Sequence, residues 1–143
     1  MAPESVGIGG VACYPSGMLA RYRMARGKRP PDDPLPDGRR VDVRKHTTHV
    51  LAPEAAMVER FLVDTTDPER IARFETDYVA LLETRFAEDR GPFDALAAEA
   101  RGGDVYLGCS CPTQSQPDVR RCHTVLALRF MKRRYRALSV VMP

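Results

Sequence analysis

No stretch of this chain approaches the roughly 18 consecutive apolar residues that a membrane-spanning helix needs. The first residues, Met1 to Gly17, lack the basic cluster and continuous apolar core of a secretory signal. Together these absences give a cytoplasmic expectation, in a compartment that keeps thiols reduced. Charge of one sign is scarce as well: a formal net charge of +3 over 143 residues is too small to argue for nucleic acid by itself. There is no internal repeat, and neither a Ser-His-Asp set nor a carboxylate dyad can be picked out. What is present has the 43% apolar content of an ordinary globular domain. A chain of this length buries roughly two-thirds of the surface it exposes when unfolded.

The cysteines are distributed unevenly. Three of the four fall within fourteen residues, at Cys109, Cys111 and Cys122, and His123 follows directly. In a reducing compartment such a cluster reads as ligand or reactive thiols before it reads as disulfides. Cys13 stands alone and reads as core.

Hydrophobic periodicity organises the rest. Val6 to Cys13 suits a first strand ending in a turn at Tyr14-Pro15-Ser16-Gly17. Met18 to Arg26 reads as a short helix with Met18, Leu19 and Tyr22 on one side. Lys28 to Arg39 holds four prolines, three aspartates and a glycine, and predicts an exposed loop. Arg40 to Arg44 alternates as a strand, with Val41 and Val43 on one face and Asp42 and Arg44 on the other. Pro53 opens a helix through about Leu62. Thr66 or Asp67 caps a longer one with Pro68 at its first position, striped by Ile71, Phe74, Tyr78, Leu81, Leu82 and Phe86. Gly91-Pro92 to Gly102-Gly103 frames a third helix. Asp104 to Cys109 is a strand, Val119 to Tyr135 a helix, and Leu138 to Met142 a closing strand. Strands separated by helices predict a single three-layer α/β domain, with a short, mainly parallel sheet and helices on both faces. Such sheets bind ligands at the carboxyl ends of their strands, here Arg44 and Cys109.

Several residues are chemical candidates. Cys122, near a helix N-terminus, faces unpaired N–H groups and the positive end of the dipole, which favours its thiolate. Arg120 and Arg121 add positive charge. On a helix His123 would point about 100° away from Cys122, so it is not expected to serve as its base. Cys109, Cys111, Cys122 and His123 are also the ligand set of a closed zinc site, although a C-x-C pair needs a turn, supplied by Pro112, to reach one metal. His46 and His49 follow the Arg44 strand and are candidate ligands or bases; a solvated pair is the bland alternative. Asp42 and Arg44 share a face and could present charge to a ligand or form an ordinary ion pair. Gly7-x-Gly9-Gly10 is a fragment of a phosphate-binding turn without the full spacing. The basic run Arg129, Lys132, Arg133, Arg134 and Arg136 is either an anionic-partner surface or a solvated helix face.

Over about Val41 to Tyr135 the chain resembles the bacterial and archaeal domain of unknown function numbered four-eight-eight. The resemblance is carried by Val41-Asp42-Val43-Arg44, Leu51-Ala52-Pro53, Tyr78 on a helix, the strand Asp104 to Cys109, and Arg121-Cys122-His123 before the apolar Thr124 to Leu128. The last two are the specific features. Thr124 stands where the family usually has a basic residue, Cys111 where it often has an acidic one, and Pro112 to Asp118 is longer than the usual link. The resemblance implies a compact α/β fold and a Cys/Cys-His site, and no reaction.

Three functional expectations follow. The first is a thiol-dependent enzyme with Cys122 as nucleophile or redox thiol and Cys109 or Cys111 as resolving partner; Arg44, with Asp42 and Arg121, binds a nucleotide-like or other anionic ligand. The second is a zinc-binding module that contacts nucleic acid through its basic helix. The third is a structural protein with buried thiols.

Overall fold

The computed structural model describes residues 17 to 143 except Arg26. The expected strand from Val6 to Cys13, the turn from Tyr14, the glycine-rich fragment and Cys13 lie outside the described residues. Three strands, β1 (Leu19–Arg23), β2 (Arg39–Asp42) and β3 (Val105–Cys109), form a parallel sheet in the order β1-β3-β2. Four α-helices accompany it: α1 (Ala55–Leu62), α2 (Pro68–Glu88), α3 (Gly91–Gly102) and α4 (His123–Arg134). This is the small α/β domain that the alternation of strand and helix patterns predicts. No described helix is long and apolar enough to cross a membrane.

The segment expected to form a helix at Met18 to Arg26 is instead strand β1. Five residues are too few to separate a period of 3.6 from one of 2. The deciding partner is remote in sequence: Leu19 to Arg23 align in register with Val105 to Cys109. Leu19, Arg21 and Arg23 therefore share the face of Val105, Leu107 and Cys109. The closing strand from Leu138 to Met142 is also corrected. Leu138 is buried, but only Val140 bridges to Leu19, and Val141 and Met142 are exposed.

The helices form where their local chemistry starts and stops them. Asp67 caps α2 by accepting from the Glu69 N–H at 3.2 Å, and Pro68 occupies its first turn. Phe74, Tyr78 and Leu82 supply the buried stripe of α2. The fourth helix starts later than Val119: Val119–Arg121 form a single 3-10 turn, and α4 begins at His123. It is buried almost all round through its first two turns, from His123 to Leu128. That pattern marks a central helix, packed against α2, β1 and β3.

Chain between β1 and β2 must pass β3, and the Pro-rich segment does so. Arg23 and Arg29 pin it by pairing with Asp33 at 3.0 and 3.1 Å. At the other end of β1, Gly17 sits where a Cβ would overlap the backbone of Ala100 and Gly103. Since backbone cannot swing aside, Gly17→Ala is expected to cost about 1–3 kcal/mol. A urea midpoint equal to that of the parent would show that the contact is relaxed.

Candidate metal centre

Cys109 ends β3, at the carboxyl edge of the central strand, and is only 8% exposed. The chain leaves the strand at Ser110 and bends at Pro112, directly after Cys111. Cys122 returns as the N-cap of α4 and is 2% exposed. The three sulfurs all lie within 4.8 Å of one another. The turn required for the C-x-C pair is therefore made.

His123 flanks two of the three sulfurs, against the expectation that it would point away from Cys122. The 100° rule applies between two helical residues, and Cys122 is not one: as N-cap it has extended backbone, φ −71° and ψ 144°. The His123 Nδ1 consequently lies 3.8 Å from the Cys122 sulfur and 3.9 Å from that of Cys109. On the far side of the ring, Nε2 is 2.8 Å from the Val43 carbonyl oxygen, just beyond β2. A carbonyl only accepts, so Nε2 carries the proton and donates it to Val43. In the neutral ring this leaves the Nδ1 lone pair facing the sulfurs. Tyr78 fixes the imidazole plane from the side, edge to face at 5.6 Å between ring centroids.

The spacing can be tested against a tetrahedral ion. With Zn–S near 2.3 Å and Zn–N near 2.05 Å, tetrahedral edges come to about 3.6–3.8 Å. The nitrogen–sulfur separations of 3.8 and 3.9 Å need only a few tenths of an ångström of contraction, whereas the sulfurs, spread over as much as 4.8 Å, and the His123–Cys111 edge must close further. Polar neighbours hold the donors in place. The Thr124 hydroxyl donates to the Cys122 sulfur at 3.1 Å and accepts from Arg21 Nε at 2.8 Å. Arg21 also donates to the Cys111 carbonyl at 2.6 Å. One guanidinium on β1 thus ties both arms of the cluster together.

Electrostatics follow from this packing. Hydrogen bonding by the Cys109 and Cys111 thiols, helped by His123, holds the Cys122 thiol well below its ordinary value despite burial. Donation to Cys109 and Cys122 pushes the Cys111 thiol up, and burial adds to the rise. Burial pulls the His123 imidazole down, but hydrogen bonds to the Cys109 and Cys122 sulfurs outweigh it and raise the group to about 10. Without metal, then, the surroundings favour the thiolate of Cys122 and the protonated form of His123.

The cluster opens on a cleft of about 470 Å³ that is also lined by Arg44, Lys45, His46 and Arg121. Of the other candidates, Asp42 pairs with Arg44 through two bonds of 3.0 and 2.8 Å and does not line the cleft. His49 does not reach the sulfurs: its Nδ1 accepts from the Leu51 N–H, and burial lowers its pKa. Arg120 turns outward to Asp118, the residue that caps the 3-10 turn. Arg21 went unseen in the sequence because it lay in a segment read as helix. An alternating reading of Leu19 to Arg23 would have placed it on the site's face.

No family model matches the chain, and neither does any curated protein or solved structure.

Arg21→Ala and Thr124→Val are each expected to weaken zinc binding by roughly 10–100-fold, the usual effect of removing a group that orients a ligand. Competition with a chromophoric chelator measures this. Unchanged affinity in both variants would show that the sulfurs need no outer support.

Proposed function

We propose that the chain is a zinc-binding α/β protein with Cys109, Cys111, Cys122 and His123 Nδ1 as ligands. One observation carries the reading: three sulfurs lie within 4.8 Å of one another, and two of them, those of Cys109 and Cys122, flank Nδ1 of a histidine whose other nitrogen is committed to a backbone carbonyl. That is the arrangement by which metal-binding histidines are oriented. Four protein donors leave the tetrahedral ion no open position, so its role is to hold the loop from Ser110 to Arg121 onto the end of the sheet.

Metal content and thiol titration on reduced, untagged protein test the proposal. The expected result is near one zinc per chain, with three thiols protected until a chelator is added. Zinc uptake near neutral pH should also release at least two protons, one each from His123 and Cys111, which are protonated in the metal-free cluster. Calorimetry in buffers of different ionisation enthalpy counts them. Acidification reverses the reaction, so zinc affinity should fall steadily as pH drops. Absence of metal after refolding with excess zinc would defeat the proposal.

A thiol-dependent enzyme is the second reading, favoured by the cleft onto which the sulfurs face. It requires the cluster to work without metal. Its sign is one thiol that alkylates rapidly at mildly acidic pH and is lost in Cys122→Ser.

A further inference from the structure

The cleft beside the cysteines has a division of its own. Its basic side chains are Arg44, Lys45, His46 and Arg121, and no carboxylate lines it. The acids stand behind these groups. Lys45 meets Glu59 at 3.8 Å, and Arg121 meets Glu75 and Asp118 at 3.8 Å, contacts longer than hydrogen bonds. Both cations therefore keep their donors for another partner. Arg44 spends Nε and Nη2 on Asp42, which fixes the guanidinium plane. Its Nη1 has no partner among the described residues. The remaining lining is in part apolar, with Val58, Leu62, Phe61 and Phe74. Phe61 and Phe74 stack on one another at 4.9 Å, nearly parallel, and back this part of the lining as a buried pair.

Gln116 adds an independent observation. It lines the cleft, is 4% exposed, and its side-chain amide has no hydrogen-bond partner among the described residues. A buried amide left unpaired is costly, and such a group marks a place where a ligand or water completes the structure. The cleft also falls within the size range of small-molecule sites, about 300–1,000 Å³.

From these we infer that the cleft binds a small phosphate monoester carried on an apolar body, of the nucleoside monophosphate kind. Several converging cations suit a dianionic phosphate better than a single carboxylate, and an arginine held in plane suits its oxygens. The apolar body lies against Val58, Leu62 and Phe61, and Gln116 pairs with a polar edge of it. This binding does not depend on what the metal does, only on the loop that brings Arg121 and Gln116 to the cleft.

The test is calorimetric titration of the zinc-loaded full chain with the four ribonucleoside 5′-monophosphates and phenyl phosphate. Each is compared with its phosphate-free counterpart and with inorganic phosphate. At least one monophosphate is expected to bind tenfold or more tightly than both its own fragments. Lys45→Ala and Arg121→Ala should each weaken it by about tenfold, as loss of a charge-assisted contact does. Gln116→Leu should weaken the phosphate-free counterpart as well. Lys45 is exposed enough for its variant to fold, and zinc content measured on every variant separates loss of the cleft from loss of the metal. The inference is overturned if no monophosphate exceeds inorganic phosphate, or if binding ignores Lys45→Ala and Arg121→Ala while zinc is retained.

Discussion

Cys122→Ser is expected to empty the metal site and lower the melting temperature by roughly 12–20 °C. Zinc held at a free concentration a thousand times its dissociation constant stabilises the folded chain by about 4 kcal/mol. For a domain of this size each kilocalorie moves the midpoint by about 3–5 °C. The serine hydroxyl is nearly isosteric with the thiol, so little of the change comes from packing. Calorimetry of parent and variant, each with and without a chelator, makes the comparison. The parent should fall to the variant's midpoint when the chelator is added, and the variant should not respond. If the variant melts as the zinc-loaded parent does, the sulfurs do not hold a stabilising ion.

A second large effect is expected at Tyr78. Its side chain is wholly buried on α2, and its hydroxyl donates to the Leu51 carbonyl at 2.7 Å. Phe74 stacks on one side, and His123 meets the ring edge to face. Tyr78→Ala removes the ring from the centre of this column and should cost about 3–5 kcal/mol, the range for aromatic truncation in a core. Tyr78→Phe keeps the ring but orphans the Leu51 carbonyl, at about 1–3 kcal/mol. The pair of variants separates two roles of one residue. Zinc affinity should be preserved in the phenylalanine variant and reduced in the alanine one, because only the latter frees the His123 ring. Equal affinities would mean that the Val43 carbonyl alone orients the imidazole. Chemical denaturation gives the stabilities, and chelator competition gives the affinities.

Much of this architecture is legible in the sequence alone, and the reason is local. Pro68 behind Asp67, and the long stripe of Phe74, Tyr78 and Leu82, announce α2 from neighbours alone. The strand Val105–Cys109, delivering a thiol to a sheet edge, is visible for the same reason, and so is the clustering of Cys109, Cys111, Cys122 and His123. The misreadings have the opposite cause. β1 exists because Leu19 to Arg23 find β3 more than eighty residues away, and no short window contains that partner. The direction of His123 turned on a single backbone angle at Cys122, which residue spacing does not encode. Arg21 became visible as the clamp on Thr124 and Cys111 only once β1 was a strand. Sequence thus names the donors well and the groups that orient them poorly, since orientation comes from distant chain.

The same contrast has a kinetic consequence. All three sulfurs come from a single short stretch, Cys109 to Cys122, whereas Val43, which selects the His123 tautomer, lies some eighty residues earlier. A nascent or unfolded chain can therefore capture zinc with its thiolates before the sheet exists. On the proposed zinc reading, the bound ion would shorten the search for the native loop, the imidazole joining only after β2 has docked beside β3. Zinc should accordingly speed refolding more than it slows unfolding, and prior capture by the unfolded chain makes the 4 kcal/mol above a ceiling.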